Sequence, residues 1–362
     1  MGKPNFLFAG LAAGLLAMAT ALVAFAYDLP IRDPDGAGMP TYVRLPAILL
    51  LAVLVDVVPR AIGRFWPSPA QMLRGCVSVT RERWGARHLI FAFSGLGVWY
   101  LAYVAFRNLK SYVPMVNDTL WDTTLARYDR VLWLGNDPAT VLHRLFGTGW
   151  AAEFFSLVYI AWIVLVPVTL AVALMWTRHV SAGAWYVTAV TLDWVLGVAV
   201  YFAVPTVGPI YSDPEQFSGL RHTAVSGLQE SMMNDRLEVL ADPHHAHSVQ
   251  TIAAFASLHV GIMVTICLVV HLIGLPRWVR LASWAFLALT VLATVYLGWH
   301  FFVDTIAGAA LGAATVWMAA IATGNHERGW PKLVVRADDR PVSVGQSNQD
   351  RSTLRTPPSS SR

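Results

Sequence analysis

Three ionisable residues stand in a chain that otherwise avoids them in its apolar runs. His259 ends the string Phe255-Ala256-Ser257-Leu258-His259, and His300 and Asp304 belong to Tyr296-Leu297-Gly298-Trp299-His300-Phe301-Phe302-Val303-Asp304. Both strings open long apolar runs, where an ionisable side chain is costly and marks a functional candidate by default. His300 and Asp304 are four residues apart, so a helix puts them on one face. A carboxylate on one imidazole nitrogen fixes the tautomer and frees the other nitrogen as base or nucleophile. Two histidines and a carboxylate with no spare thiol suit phosphoryl transfer through a phosphohistidine. His300 would attack phosphorus, Asp304 would hold His300, and His259 would protonate the departing oxygen. Two other readings stand beside this one. The first is a helix-capping His with a structural His–Asp contact. The second is a divalent metal held by His259, His300 and Asp304. Asp242-Pro243-His244-His245-Ala246-His247 also resembles a ligand cluster, but a solvated surface group is its simpler explanation. No metal and no other cofactor is expected.

These residues need elements to position them. The 362 residues are 56% hydrophobic and 13% charged, against about 25% charged in an ordinary soluble domain, and the mean hydropathy is +0.52. A soluble enzyme, a disordered scaffold and a disulfide-stapled secreted domain are excluded. Cys76 and Cys267, the two cysteines, give neither a disulfide framework nor a thiolate metal site. The net charge of +4 fits basic residues that set topology, with no nucleic acid partner. Apolar runs near the ~20 residues of a membrane-crossing helix lie at roughly 6–27, 43–62, 88–106, 152–176, 183–204, 255–274, 279–297 and 300–322. They predict an all-α polytopic membrane protein with about eight transmembrane helices. Ala24-Phe25-Ala26 fits a signal-peptidase site, but the first run is longer than a signal core and favours a retained anchor.

Eight spans put both termini on one side. With that side cytoplasmic, most of the 26 Lys and Arg lie inside, above all Arg60, Arg64, Arg74, Arg81, Arg83 and Arg87. Spans six and eight then enter from the periplasm or exterior, which brings His259, His300 and Asp304 to one membrane face. Asp193 stands alone in the fifth span, and Asp56 has Arg60 one turn away. Residues 118–147 mix Trp121, Leu125, Leu132 and Leu142 with Asp122, Asp129 and Arg130, as short interfacial amphipathic helices would. The segment from Pro205 to about 250 has few apolar residues and reads as a loop that could cover a site. From about 324 the chain is rich in Ser, Pro, Asp and Arg and reads as a disordered cytoplasmic tail. The expected organisation is two N-terminal spans with a basic loop over 1–87, a membrane core over 88–322 and a tail over 323–362.

Ser257-Leu258-His259, followed by His300-x3-Asp304, resembles the type 2 phosphatidic acid phosphatase superfamily. The resemblance is narrower to the inositol phosphorylceramide synthase branch, which reads Ser-Leu-His where general phosphatases read Ser-Gly-His. Tyr296 to Asp304 and the phrase Asp129-Arg-Val-Leu-Trp-Leu-Gly135-Asn-Asp-Pro138 are also similar to that branch. The likeness runs from roughly Tyr100 to Ala320 and implies a six-helix core with His259, His300 and Asp304 catalytic. The superfamily's Lys-x6-Arg-Pro is absent, its Ser-Arg positions are Ala293 and Thr294, and its Pro is Ala256. A phosphate still needs cations or aligned amides. Arg107 and Lys110 at the end of span three, Arg221 and His222 in the outer segment, and Ser257 at the start of span six are the candidates. Arg107 and Lys110 could equally be snorkelling interfacial cations.

The resemblance implies a phosphotransferase that moves a phosphoryl headgroup, phosphoinositol in that branch, from a phospholipid or polyprenyl donor to an alcohol acceptor. A phosphatase acting on a lipid phosphate or polyprenyl pyrophosphate, with water resolving the same intermediate, is the alternative. A non-enzymatic membrane protein that kept the fold is the third reading. The partners expected are membrane lipids; the acceptor and the oligomeric state are not specified by the sequence.

Overall fold

The computed structural model describes residues 6–34, 41–65, 69–176 and 179–335. In chain order the helices are α1 (Leu7–Ala26), α2 (Thr41–Phe65), α3 (Pro69–Arg83), α4 (Ala86–Val116), α5 (Asp122–Leu132), α6 (Pro138–Phe146), α7 (Trp150–Ala171), α8 (Val180–Ala203), α9 (Pro209–Ser212), α10 (Ala224–Ala241), α11 (Leu258–Leu272), α12 (Arg277–Tyr296) and α13 (Phe302–Thr323). Six of them, α1, α4, α7, α8, α12 and α13, are long and apolar enough to cross a bilayer. The chain is an all-α polytopic integral membrane protein. Of the other two expected spans, α2 is 25 residues long but carries Arg44, Asp56, Arg60 and Arg64, and α11 is a shorter apolar helix.

The shortness of α11 has a local cause. Ser257 is its N-cap, and the Ser257 hydroxyl accepts from Val260 N at 3.3 Å, the role in which Ser is strongly preferred. Phe255 and Ala256, expected at the start of the sixth span, instead run with Ala254 beside the turn after α8. Ala254 N donates to Thr206 O (3.1 Å) and Phe255 N to Thr206 Oγ1 (2.7 Å). Non-helical backbone at membrane depth is tolerated where protein buries it or where it lines a cavity, and Thr251 to Ala254 line the cavity described below.

Helices α8, α11 and α13 form the centre of the bundle. A Cβ on Gly308 would run into the Ser257 carbonyl oxygen, and one on Gly312 into that of Gly261. The backbones of α11 and α13 therefore touch, the close approach that small residues permit between membrane helices. One turn further along, Asp193 of α8 accepts from Thr265 Oγ1 of α11 (2.9 Å) and Thr315 Oγ1 of α13 (2.6 Å). Helix α1 packs against α4: Phe6 and Leu174 fill the space beside Gly95.

Three stretches differ from the sequence expectation. The basic segment after α2 is not a loop: residues 69–83 form α3, and Arg64 on α2 pairs with Glu82 at 2.7 Å. The segment after α8 holds the 18-residue helix α10, capped by the Thr223–Ser226 box. Residues 324–335, expected as the start of a disordered tail, turn back as a two-strand hairpin, His326–Glu327 against Trp330–Pro331. Buried Asn325 secures it by donating to Ser181 O (3.2 Å) and accepting from Val334 N (3.2 Å). The rest of the expected tail lies outside the described residues. The amphipathic stretch 118–147 is helical as predicted, in α5 and α6, with Leu125 and Leu142 buried and Val131 and Leu145 exposed.

Candidate active site

His259 is the second residue of α11, His300 lies in the turn between α12 and α13, and Asp304 is in the first turn of α13. The α11–α13 contact brings them together. His259 Nδ1 is 2.9 Å from His300 Nε2, and His300 Nδ1 is 3.4 Å from Asp304 Oδ2. Asp304 Oδ2 also accepts from Phe301 N at 3.0 Å, which draws the carboxylate back across the start of its own helix. That turn explains why the pair meets although His300 precedes the helix. Ser257 N donates to the Asp304 backbone oxygen at 3.1 Å, tying the two helix starts to each other.

Helix α5 braces this arrangement from the side. Asp129 accepts from Phe302 N (2.6 Å) and Val303 N (2.8 Å), capping α13 alongside the local Asp304 contact to Phe301 N. Burial pushes the Asp129 carboxyl up to about 6, against the downward pull of those two amides. Asp122, one end of the same helix, accepts from Val207 N (3.1 Å) and Gly208 N (2.8 Å), and burial raises its pKa too. Asp129 opens one of the phrases quoted above, but nothing in the sequence says that it caps a helix more than 170 residues away.

The two imidazoles open onto a cavity of about 40 Å³. Tyr159, Tyr211 and Trp299 supply aromatic walls, and Lys110 supplies the one Lys or Arg among its lining residues. The Lys110 ammonium sits 4.8 Å from the Tyr201 ring centroid, a cation–π contact that holds the side chain in place. Arg107, one turn earlier on α4, lies over the Tyr103 ring at 5.8 Å and does not line the cavity. Three further candidates are also not brought to it. Ser257 is fully buried, and its hydroxyl is occupied as the α11 cap. Arg221 pairs with Glu153 at 3.4 Å and lies over Trp150. His222 faces Glu230 at 3.4 Å, largely exposed. Each of these side chains already has a local partner.

In the Asp242–His247 stretch, His245 Nδ1 is 2.8 Å from Asp242 and His247 meets Glu238. Among the described residues no three His, Cys, Asp or Glu gather as a metal site. Tyr159 was missed entirely. Its hydroxyl is 3.1 Å from His259 Nε2, but a tyrosine in an apolar span carries no signal that separates it from core.

The matching order of site and helices has a counterpart among known families: the PAP2 superfamily model matches residues 123–318, from α5 through α13. The chain belongs to the PAP2 superfamily. Searches of curated proteins and of solved structures return no significant match. Membership supports an enzyme of the lipid phosphatase and phosphotransferase kind. In this PAP2 chain, Ala293 and Thr294 are buried in α12, and Thr294 Oγ1 donates to Thr290 O at 2.9 Å. Neither lines the cavity.

Proposed function

We propose that this PAP2 protein is a lipid phosphotransferase that moves a phosphoryl headgroup from a phosphodiester lipid to an alcohol through a phosphohistidine. His300 Nε2 is the nucleophile, Asp304 holds its Nδ1 proton, His259 protonates the departing oxygen, and Lys110 neutralises the phosphate. The observation that carries the reading is the cavity shared by both imidazoles and a single Lys or Arg, Lys110. One positive charge matches the single negative charge of a phosphodiester better than a dianionic monoester or a pyrophosphate. The aromatic walls of Tyr159, Tyr211 and Trp299 favour transfer over hydrolysis, because a site that sheds water protects a reactive intermediate. Phosphoinositol is the headgroup that the resemblance to inositol phosphorylceramide synthases brings forward.

The test is incubation of purified protein with radiolabelled phospholipid donors, with and without alcohol acceptors. Product that appears only with acceptor supports transfer. Headgroup phosphate or free phosphate released regardless of acceptor replaces this reading with a phosphatase.

The site is assigned to the outer face, with both termini cytoplasmic, from the basic residues of 60–87. In a background without Cys76 and Cys267, cysteine at exposed Gly219 should react with an impermeant maleimide in intact cells. Cysteine at exposed Arg81 should react only after permeabilisation. The reverse pattern overturns the orientation.

A further inference from the structure

Tyr159 reaches from α7 to the outer nitrogen of His259, 3.1 Å from Nε2, while Nδ1 of the same ring lies 2.9 Å from His300 Nε2. These rings have little freedom. Tyr159 stacks on Trp299 with centroids 4.9 Å apart and planes 7° apart, and Trp162 Nε1 donates to the His259 backbone oxygen at 3.0 Å.

A hydrogen bond between two imidazoles holds one proton, and the ends of the chain decide which ring owns it. At one end His300 Nδ1 faces the Asp304 carboxylate, so Nδ1 bears the proton and Nε2 carries the lone pair of a nucleophile. That lone pair accepts from His259 Nδ1–H. His259 Nε2 is then the acceptor for the Tyr159 hydroxyl. Donors and acceptors then run in one direction, from Tyr159 to Asp304, with the last contact, His300 Nδ1 to Asp304 Oδ2, at 3.4 Å and short of a formed hydrogen bond.

This order leaves the two histidines a proton short. A neutral His259 that gives up its Nδ1 proton becomes an imidazolate unless Nε2 gains one in the same step. We infer that Tyr159 supplies that proton, as a positioning and proton-holding residue acting through His259; the inference rests on the phosphotransfer reading. In the first step the His300 Nε2–phosphorus bond forms and the bond from phosphorus to the leaving oxygen breaks. The leaving oxygen takes the His259 Nδ1 proton, and the Tyr159 hydroxyl proton moves to Nε2, leaving a phenolate. In the second step the acceptor oxygen bonds phosphorus and its proton goes to His259 Nδ1. Nε2 returns its proton to Tyr159 as the phosphorus–nitrogen bond breaks, and the site is restored.

Tyr159→Phe keeps the ring stacked on Trp299 and removes only the hydroxyl. On a lipid donor, whose alkoxide is a poor leaving group, kcat should fall about 10²-fold, within the range of general acid help, with KM little changed. On a donor with a nitrophenolate leaving group the first-step rate should stay within about threefold, since that group needs little protonation. Tyr159→Phe combined with His259→Ala should be no slower on lipid than His259→Ala alone. Losses that multiply, or an equal loss on both donors, overturn the inference. A second readout needs no turnover. In protein labelled with nitrogen-15 histidine, with His259 assigned by its disappearance in His259→Gln, the resting enzyme should show a protonated Nδ1 and a pyridine-type Nε2. Tyr159→Phe should turn that single tautomer into a mixture. A protonated Nε2 in the wild type, or an unchanged tautomer in Tyr159→Phe, sinks the inference by itself. A wild type inactive on every donor sinks the phosphotransfer reading instead.

Discussion

Asp193 and Asp304 are both fully buried carboxylates on helices of the central bundle, and they are held in opposite ways. Asp193 has a hydroxyl on each oxygen, Thr315 on Oδ1 and Thr265 on Oδ2, from two different helices. Asp304 has Phe301 N and the longer His300 contact on Oδ2, while Oδ1 has no hydrogen-bond partner among the described residues. A satisfied polar group rigidifies a bundle, and a partly satisfied one is a reserve that a ligand or a reaction can draw on. The 3.4 Å His300–Asp304 separation fits that contrast, since catalytic hydrogen bonds are commonly long before substrate arrives and tighten afterwards. In the proposed mechanism Asp193 is a staple and Asp304 a poised group, although the sequence presents both simply as acids in apolar runs.

The largest effect that could break this contrast lies at His300 and Asp304. His300→Ala should abolish transfer with every donor and leave no phosphoenzyme on alkaline quenching, under which the acid-labile phosphohistidine of the wild type survives. Asp304→Asn should keep the fold and lower kcat by about 10²–10⁴-fold, by misplacing the His300 proton. A labelled phosphoenzyme that persists in His300→Ala would remove the nucleophile from this site.

Lys110 comes next. Removing one charge-stabilising donor typically costs about 10²–10³-fold in rate. Lys110→Ala should therefore lower kcat/KM by about 10²-fold on phosphodiester donors. Arg107→Ala and Arg221→Ala should stay within about threefold, because neither side chain lines the cavity. Parallel losses in Arg107→Ala would mean that the phosphate sits further towards Tyr103 than the cavity suggests.

Much of this was legible in the sequence, and the exceptions share a cause. Apolar runs of membrane length show in any window, and His259, His300 and Asp304 stand out because a charge there is costly. Lys110 was readable as a cation at a span end, though its separation from Arg107 was not, because both share one helix face and only one reaches the cavity. Ser257 could be a donor to phosphate or a helix cap, and only the start of α11 decides between them. Helix α10 is polar without a strong apolar stripe, so periodicity had nothing to register. The caps made by Asp122 and Asp129 span long stretches of chain, and no local pattern encodes a partner so far away.

Asp129 tests how firmly that brace holds α13. Its folded-state carboxyl lies at about 6, above the ordinary 3.8, so between those values the native state binds more protons than the unfolded chain. Its contribution to stability therefore falls as pH rises through that window, by roughly 2–3 kcal/mol in all. Asp129→Asn removes the titration. Thermal melts in detergent from pH 4 to 7 should show the wild type losing ground to the variant as pH rises. Parallel profiles would mean that burial does not govern this carboxyl.

The smallest effect on turnover is expected at Asp193, and there the comparison is sharpest. Asp193→Asn keeps an acceptor for one threonine, and the Gly312 carbonyl already lies 2.9 Å from Thr315 Oγ1 and 3.3 Å from Thr265 Oγ1 to take up the other. The loss is thus about one hydrogen bond to a buried group, on the order of 1–2 kcal/mol. It falls on the junction of α8, α11 and α13, under about two turns from His259 along α11 and about three turns from Asp304 along α13, and leaves the spacing of Gly308 and Gly312 against α11 untouched. Asp193→Asn should lower the midpoint of thermal unfolding while kcat, measured well below that midpoint, stays within about threefold. Asp304→Asn should do the reverse, with a nearly unchanged midpoint and a collapsed kcat. If Asp193→Asn instead lost activity as Asp304→Asn does, with its melting curve intact, then the buried threonine-held carboxylate would belong to the reaction, and the division between staple and poised acid would fail.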